Sequence, residues 1–335
     1  MDNRLTVGID VGGTKTAAVL ISSTKKILAE ITEPTNRSAS PEQSVEHSEA
    51  LIDRLLRETH HVRRSVEAVG VGLPGLIAPD RTFRDSIILP TWLNVDFQSL
   101  LQQRLGVPVI VDNDTTMAAL GHMASIPPSE RPRCLVCLTL GTGVGGAVLL
   151  NGIPLRGIDG TAGQIGHITV DPAGRNCDCG SAGCLNSYAS GTAITARYAE
   201  LSAEGSTLEA APEAAAKKAD FREALHMGDP QAQQALTEAT TALIVAISNM
   251  VNVLNPEVVV LGGGVAGLGS TLIDPVQREV SRRSFPAPAR RVRVCLASHG
   301  PLTGAIGAAA TAAELGSTRR PHNLSNSHSA GRETQ

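Results

Sequence analysis

Aromatic rings are scarce in this chain, with four Phe, two Tyr and one Trp among 335 residues. A core of large rings is thereby excluded; small aliphatic side chains must fill it, which suits sheets sandwiched between helices. An excess of one charge is also lacking, since 29 Lys and Arg face 32 Asp and Glu for a net −3. That balance argues against holding nucleic acid or an anionic membrane through bulk electrostatics, so substrate charge has to be met by local groups. No apolar run approaches the ~20 residues of a membrane span, and no charged-then-apolar leader precedes the first strand. The chain reads as soluble and cytoplasmic, and its length suits two domains.

Cysteine is sparse too, but not evenly spread. Three of the six, Cys177, Cys179 and Cys184, fall within eight residues, with His167 ten residues upstream in a Gly-punctuated stretch from 161 to 191. Three thiolates and one imidazole form a closed tetrahedral zinc set, which would hold a loop and leave no position for a catalytic water. The alternatives are unrelated thiols or a disulfide, for which nothing suggests an oxidising compartment. Cys134, Cys137 and Cys295 sit inside apolar runs. Cys134 and Cys137, three apart on a strand, point to opposite faces, so they read as core thiols rather than a CxxC pair.

Glycine-rich turns supply the other pattern. Residues 5–10 alternate and break at Gly12-Gly13-Thr14 before a second strand, with a third at 26–30. Paired glycines expose backbone N–H groups as an anion cradle, and Asp10 beside them suits a hydrated Mg2+; an ordinary hairpin with a solvated Asp is the alternative. A helix is expected over 41–64 and buried strands at 68–73 and 109–111, which indicates an α/β domain. The second strand leads through Asn113-Asp114 into an Ala-rich helix, where ligands of open α/β sheets bind, although Asp114 could equally cap the helix. A second strand–turn–strand follows, with Gly141, Thr142 and Gly143 at its tip, so the chain carries an internal duplication. Residues 192–250 read as helical, interrupted by a low-complexity connection at 203–218. A strand then enters a turn whose Gly262, Gly264 and Gly267 fit GxGxxG. No acidic residue ends the next strand, which counts against nicotinamide. Residues 302–315 are expected to form a final helix and 316–335 a disordered tail.

Asp10-Val-Gly-Gly-Thr-Lys, Asn113-Asp114, Leu140-Gly-Thr-Gly-Val-Gly-Gly, the Gly-His and CxCGxxGC segment and Leu261-Gly-Gly-Gly, in this order, closely resemble the ROK family of sugar kinases over about residues 4–315. The resemblance implies a duplicated ribonuclease-H-like fold of the actin and hexokinase type. A small domain (1–114, with helix 302–315 packing back on it) and a large one (115–301) would close a cleft on ATP and a sugar. It implies Asp114 as the catalytic base, with Asn113, Gln164, His167 and Asn186 at the sugar. Asp10 would hold Mg2+ through water, and Gly12, Gly13, Thr14, Gly141, Thr142 and Gly143 would cradle phosphates. Gly263 and Gly264 would pass under the adenosine. His167 would serve twice, on structural zinc with the three cysteines and on a sugar hydroxyl. A homo-oligomer, in particular a dimer, is expected, with a small-molecule sugar or sugar analogue as substrate.

Gln164 and Asn186 stand where the family usually has Glu, and His122 where Glu is common. An amide offers one acceptor and two donors where a carboxylate only accepts, and a buried mismatch costs about 1–3 kcal/mol. A modified ring, such as an amino sugar or a C7-cyclitol, is therefore expected, with ordinary glucokinase and a non-catalytic sugar sensor as alternatives. A DNA-binding repressor is disfavoured by the negative net charge and by the first strand starting at Leu5.

Overall fold

The computed structural model describes residues 4–86, 88–204 and 221–318. In the first half, β1 (Leu5–Val11), β2 (Lys15–Ser22) and β3 (Ile27–Pro34) form a meander, followed by α1 (Pro41–Glu58) and β4 (Val66–Leu73). Two short strands, β5 (Leu76–Ile77) and β6 (Phe83–Asp85), precede α2 (Phe97–Leu105), β7 (Val109–Asn113) and α3 (Asp114–Ala124). The second half repeats the meander as β8 (Cys134–Leu140), β9 (Val144–Leu150) and β10 (Ile153–Pro154). Helices α4 (Asn186–Ala189), α5 (Gly191–Glu204), α6 (Phe221–His226) and α7 (Pro230–Leu254) lead to β11 (Val258–Gly262) and α8 (Gly263–Ala266). Then come α9 (Ser270–Arg283), α10 (Pro286–Ala289), β12 (Arg293–Leu296) and α11 (Thr303–Thr318).

The two sheets have one topology. The orders are β3-β2-β1-β4-β7 and β10-β9-β8-β11-β12, in each case an antiparallel hairpin beside two parallel strands. The chain therefore has the duplicated two-domain α/β fold. Small aliphatics fill both cores: Val7, Ile9, Leu55 and Val71 in one, Leu138, Leu243, Ile247 and Leu261 in the other. Three of the few rings gather in the first core, Trp92 lying 4.8 Å from Phe97 and 5.8 Å from Phe83.

Helix α11 joins the halves. Gly8 and Gly70 are register partners on β1 and β4, and a Cβ there would lie 1.8 Å from the Ala305 carbonyl oxygen and 1.9 Å from that of Ala308. The helix thus lies in a trough that only glycine leaves open. On its other side it meets α3 through Gly121 and Gly307, whose Cβ atoms would come within 2.0 Å of Thr303 O and 1.8 Å of Met117 O. Helix α3 in turn packs on β8 and β9.

Several expectations change in detail. The first helix stops at Glu58, where Thr59 caps it. Helix α11 runs on to Thr318, so 316–318 belong to it; residues 319–335, and 205–220 of the low-complexity connection, lie outside the described residues. Helix α7 is 25 residues long and apolar enough to cross a membrane by length and composition. Its apolar side is instead spent on the second core, where Leu243, Ile247 and Val251 are fully buried.

Candidate active site

The two meander tips lie at corresponding ends of their sheets, and they meet. A Cβ on Gly13 would lie 2.8 Å from the Thr142 hydroxyl, which puts the Gly12–Thr14 and Gly141–Gly143 turns face to face. The second tip is closed by Gly141 N–H to Gly143 O at 2.9 Å and tied to the start of α5 by Gly191 N–H to Gly141 O at 2.7 Å. Beneath it passes the third turn: Gly263 has φ +82° and a Cβ there would strike the Leu140 backbone at 2.6 Å, whereas nothing stands within 4 Å of one on Gly264. Three stretches of bare backbone thus border one space, suited to a phosphate chain.

Two carboxylates sit at its edge. Asp10 pairs in register with Gly72, and a Cβ on Gly72 would be 3.0 Å from Asp10 Oδ1 and 3.2 Å from the Asp114 Cα. A Cβ on Gly304 would be 2.3 Å from Asp10 Oδ2, so the start of α11 forms its other wall. Asp10 Oδ1 is shut off from solvent and has no hydrogen-bond partner among the described residues. Burial, with the Asp114 charge adding to it, raises the Asp10 carboxyl well above the ordinary range. A shielded carboxylate oxygen without a donor fits a hydrated cation such as Mg2+.

Asp114 is the first residue of α3 but not its cap. Asn113 takes that role: its Oδ1 accepts from Thr115 N–H at 2.9 Å and Thr116 N–H at 3.1 Å, while its Nδ2 donates to Gly75 O at 3.1 Å. Burial pushes the Asp114 carboxyl up to about 6 against the opposing pull of Thr115, whose N–H lies 2.7 Å from Oδ1. Such a group is ionised at neutral pH yet basic enough to take a hydroxyl proton.

A small pocket opens beside Asn113, walled from the first half by Gly75, Ile77 and Asp112 and from the second by Arg156 and Gln164. Gln164 is exposed there. Asn186 is placed differently: its Oδ1 accepts from Val144 N–H at 2.8 Å, clamping the β8–β9 turn, and it is absent from the pocket wall. One lone pair of that amide oxygen is thereby taken by the backbone.

His167, Cys177, Cys179 and Cys184 converge, one ligand atom from each lying within 4.8 Å of all the others. Cys177 Sγ is 3.7 Å from His167 Nδ1, and Cys179 Sγ is 3.7 Å from Cys184 Sγ. Sulfurs about 2.3 Å from a tetrahedral zinc stand about 3.8 Å apart, whereas a disulfide needs about 2.05 Å, so this donor set fits the ion and not the bond. Nδ1 faces the thiols, which leaves Nε2 turned away from them for another partner.

Two participants lacked a sequence motif. Asp112 and Arg156 form a paired contact between the halves, Nη1 to Oδ1 at 3.0 Å and Nη2 to Oδ2 at 2.7 Å. A signal existed, since an acid closing an apolar strand needs a cation, but the partner's position was not legible. His122 is also accounted for: it is buried near the end of α3 with Nδ1 2.8 Å from the Ser298 hydroxyl, away from these turns.

Among known proteins, a glucokinase of Halalkalibacterium halodurans is 33% identical over 316 residues, covering 92% of this chain and 94% of that protein. A kanosamine kinase of Amycolatopsis mediterranei is 31% identical over 263 residues, covering 78% of this chain and 80% of that one. Among solved structures, a ROK family glucokinase from Streptomyces griseus, in complex with glucose and AMPPNP, is 30% identical with a TM-score of 0.78, covering 92% of this chain and 99% of that one. Residues 6–314 match the ROK family, a span that takes in both hairpin tips, the Asn113–Asp114 corner and the Cys/His loop, and the chain belongs to that family.

Proposed function

We infer that this protein is an ATP-dependent kinase that phosphorylates the exocyclic primary hydroxyl of a hexose-like ring. The observation carrying this reading is the position of Asp114, a half-buried carboxylate with its pKa raised to about 6, next to Asp10 and the two facing glycine turns. Phosphoryl transfer asks mainly for positioning and charge neutralisation. Asp114 accepts the hydroxyl proton as that oxygen attacks the terminal phosphorus and the bond to the leaving diphosphate breaks. Gly12 N–H and Gly141 N–H close the two turns onto Lys15 O and Gly143 O; the N–H groups of Gly13, Thr14, Thr142 and Gly143 would hold the phosphates, and Gly263 and Gly264 let the nucleoside lie close. Asp10 would hold Mg2+, which supplies counter-charge to the phosphate oxygens. Asn113, fixed as the helix cap, keeps one amide hydrogen for a ring hydroxyl. His167, Cys177, Cys179 and Cys184 would hold a structural zinc that fixes the imidazole and aims its Nε2 at the ring.

The substrate reading is a modified ring, such as an amino sugar or a C7-cyclitol. Gln164 and Asn186 stand where carboxylates would accept from ring hydroxyls, and the Asn186 Oδ1 already accepts from Val144 N–H. The kanosamine kinase relative supports this reading; ordinary glucokinase is the second, supported by relatives of that name. An ADP-release assay across glucose, amino sugars, N-acetyl sugars and cyclitols tests both. Highest kcat/KM on a modified ring is expected, highest on glucose favours the second reading, and no turnover on any overturns the kinase.

A further inference from the structure

We propose that Arg156 is a positioning residue for the phosphoryl transfer: its pairing with Asp112 ties the sugar-side loop of the second half to the strand end that carries Asn113 and Asp114. The proposal rests on Asp114 being the base.

Asp112 is the penultimate residue of β7, with its side chain 8% exposed, while that of Arg156 is 51% exposed at the pocket. Two parallel N–H donors meet the two carboxylate oxygens, a geometry that fixes orientation as well as distance. The oxygen that takes Nη1 also accepts the Asn113 backbone N–H at 2.8 Å, so the guanidinium orients the peptide leading into Asp114. On the other side, the Arg156 carbonyl accepts Ala162 N–H at 2.9 Å, holding the loop that presents Gln164. A Cβ on Gly160 in that loop would lie 2.7 Å from Ile77 O, so the loop also rests on the first half. Among the described residues Asp112 has no other cation and Arg156 no other acid. Ring recognition and the aim of the base therefore share one contact, and seating the loop on a ring orients Asp114.

R156Q, R156K and the double variant R156Q/D112N separate positioning from simple support. The expected result for R156Q is a loss of about 10- to 100-fold in kcat with the best sugar, the range for orienting contacts behind a reacting group. ATP affinity by titration calorimetry should stay unchanged. Lysine cannot supply two coplanar donors, so R156K should recover little, whereas the double variant, which leaves no unpaired buried carboxylate, should regain part of kcat. R156Q within twofold of the parent, or loss of ATP binding and sugar turnover together with no recovery in the double variant, overturns the proposal. Should R156Q not fold, R156K carries the same two outcomes. Full activity in D114A would instead remove the base itself, whatever Arg156 does.

Discussion

Acidifying the assay should silence the enzyme well above the pH at which ordinary aspartates protonate. Asp114 is lifted to about 6 because burial outweighs the hydrogen bonds from Thr115. With Asp114 as the proposed base the ionised form is the active one, so kcat/KM for the sugar, at saturating nucleotide, should rise with pH through 6. A base with that pKa is about nine-tenths ionised at pH 7 and one-tenth at pH 5, giving about a tenfold fall between them. An aspartate at about 3.9 would lose under about a tenth over the same range. Asp114→Asn should cost about 10²- to 10⁴-fold in kcat and remove the limb at 6 rather than move it. The same shift acts on stability with a definite sign. The folded state keeps a proton that the unfolded chain releases near 3.8, so the fold loses stability as pH rises from there through 6. At pH 7 that amounts to about 3 kcal/mol, and Asp114→Asn should melt higher than the parent while being inactive. A profile flat from pH 7 to 5, or a variant no more stable than the parent, would refute the reasoning.

Other outcomes follow from single contacts. Gly70→Ala places a methyl 1.9 Å from the Ala308 carbonyl, and denaturant titration should show a loss of about 3 kcal/mol or more, whereas Gly264→Ala, with nothing within 4 Å, should leave the midpoint nearly unchanged. Gly304→Ala drives a methyl against Asp10 Oδ2; Mg2+-nucleotide affinity should fall while sugar binding alone persists, and equal affinity for both would contradict the placement of Asp10. Cys184→Ser should lower zinc from about one ion per chain to nearly none by elemental analysis, an unchanged ratio refuting the four-ligand site.

Local pattern revealed what local chemistry controls. Paired glycines between alternating strands announced both hairpin tips, and their recurrence gave the duplicated sheets. Cysteine spacing with His167 placed the four donors together because loop and ligands share one short segment. Asp114 suits a helix cap as well as a base, and only the bonds from Thr115 and Thr116 to Asn113 show that its neighbour takes the cap. Asn186 stands as a ring contact by resemblance, and its bond from Val144 N–H, 42 residues away in sequence, leaves no local trace. The Asp112–Arg156 pair spans 44 residues and two halves of the fold, and it leaves no periodic trace. Helix α7 shows the converse: its composition matches a membrane span, and only the neighbouring elements reveal that the second core takes up its apolar face.

The glycine trough under α11 bears on how the chain matures during synthesis. The sheet formed by the first strands exposes Gly8, Gly70, Ala17 and Val19 on the face that α11 covers, and the ribosome makes that helix only after the whole second half. Until it arrives, the early half holds an uncovered apolar floor and the wall of the Asp10 pocket is missing. A nascent chain stalled before residue 303 should therefore engage chaperones and fail to retain nucleotide, even with every glycine turn already made.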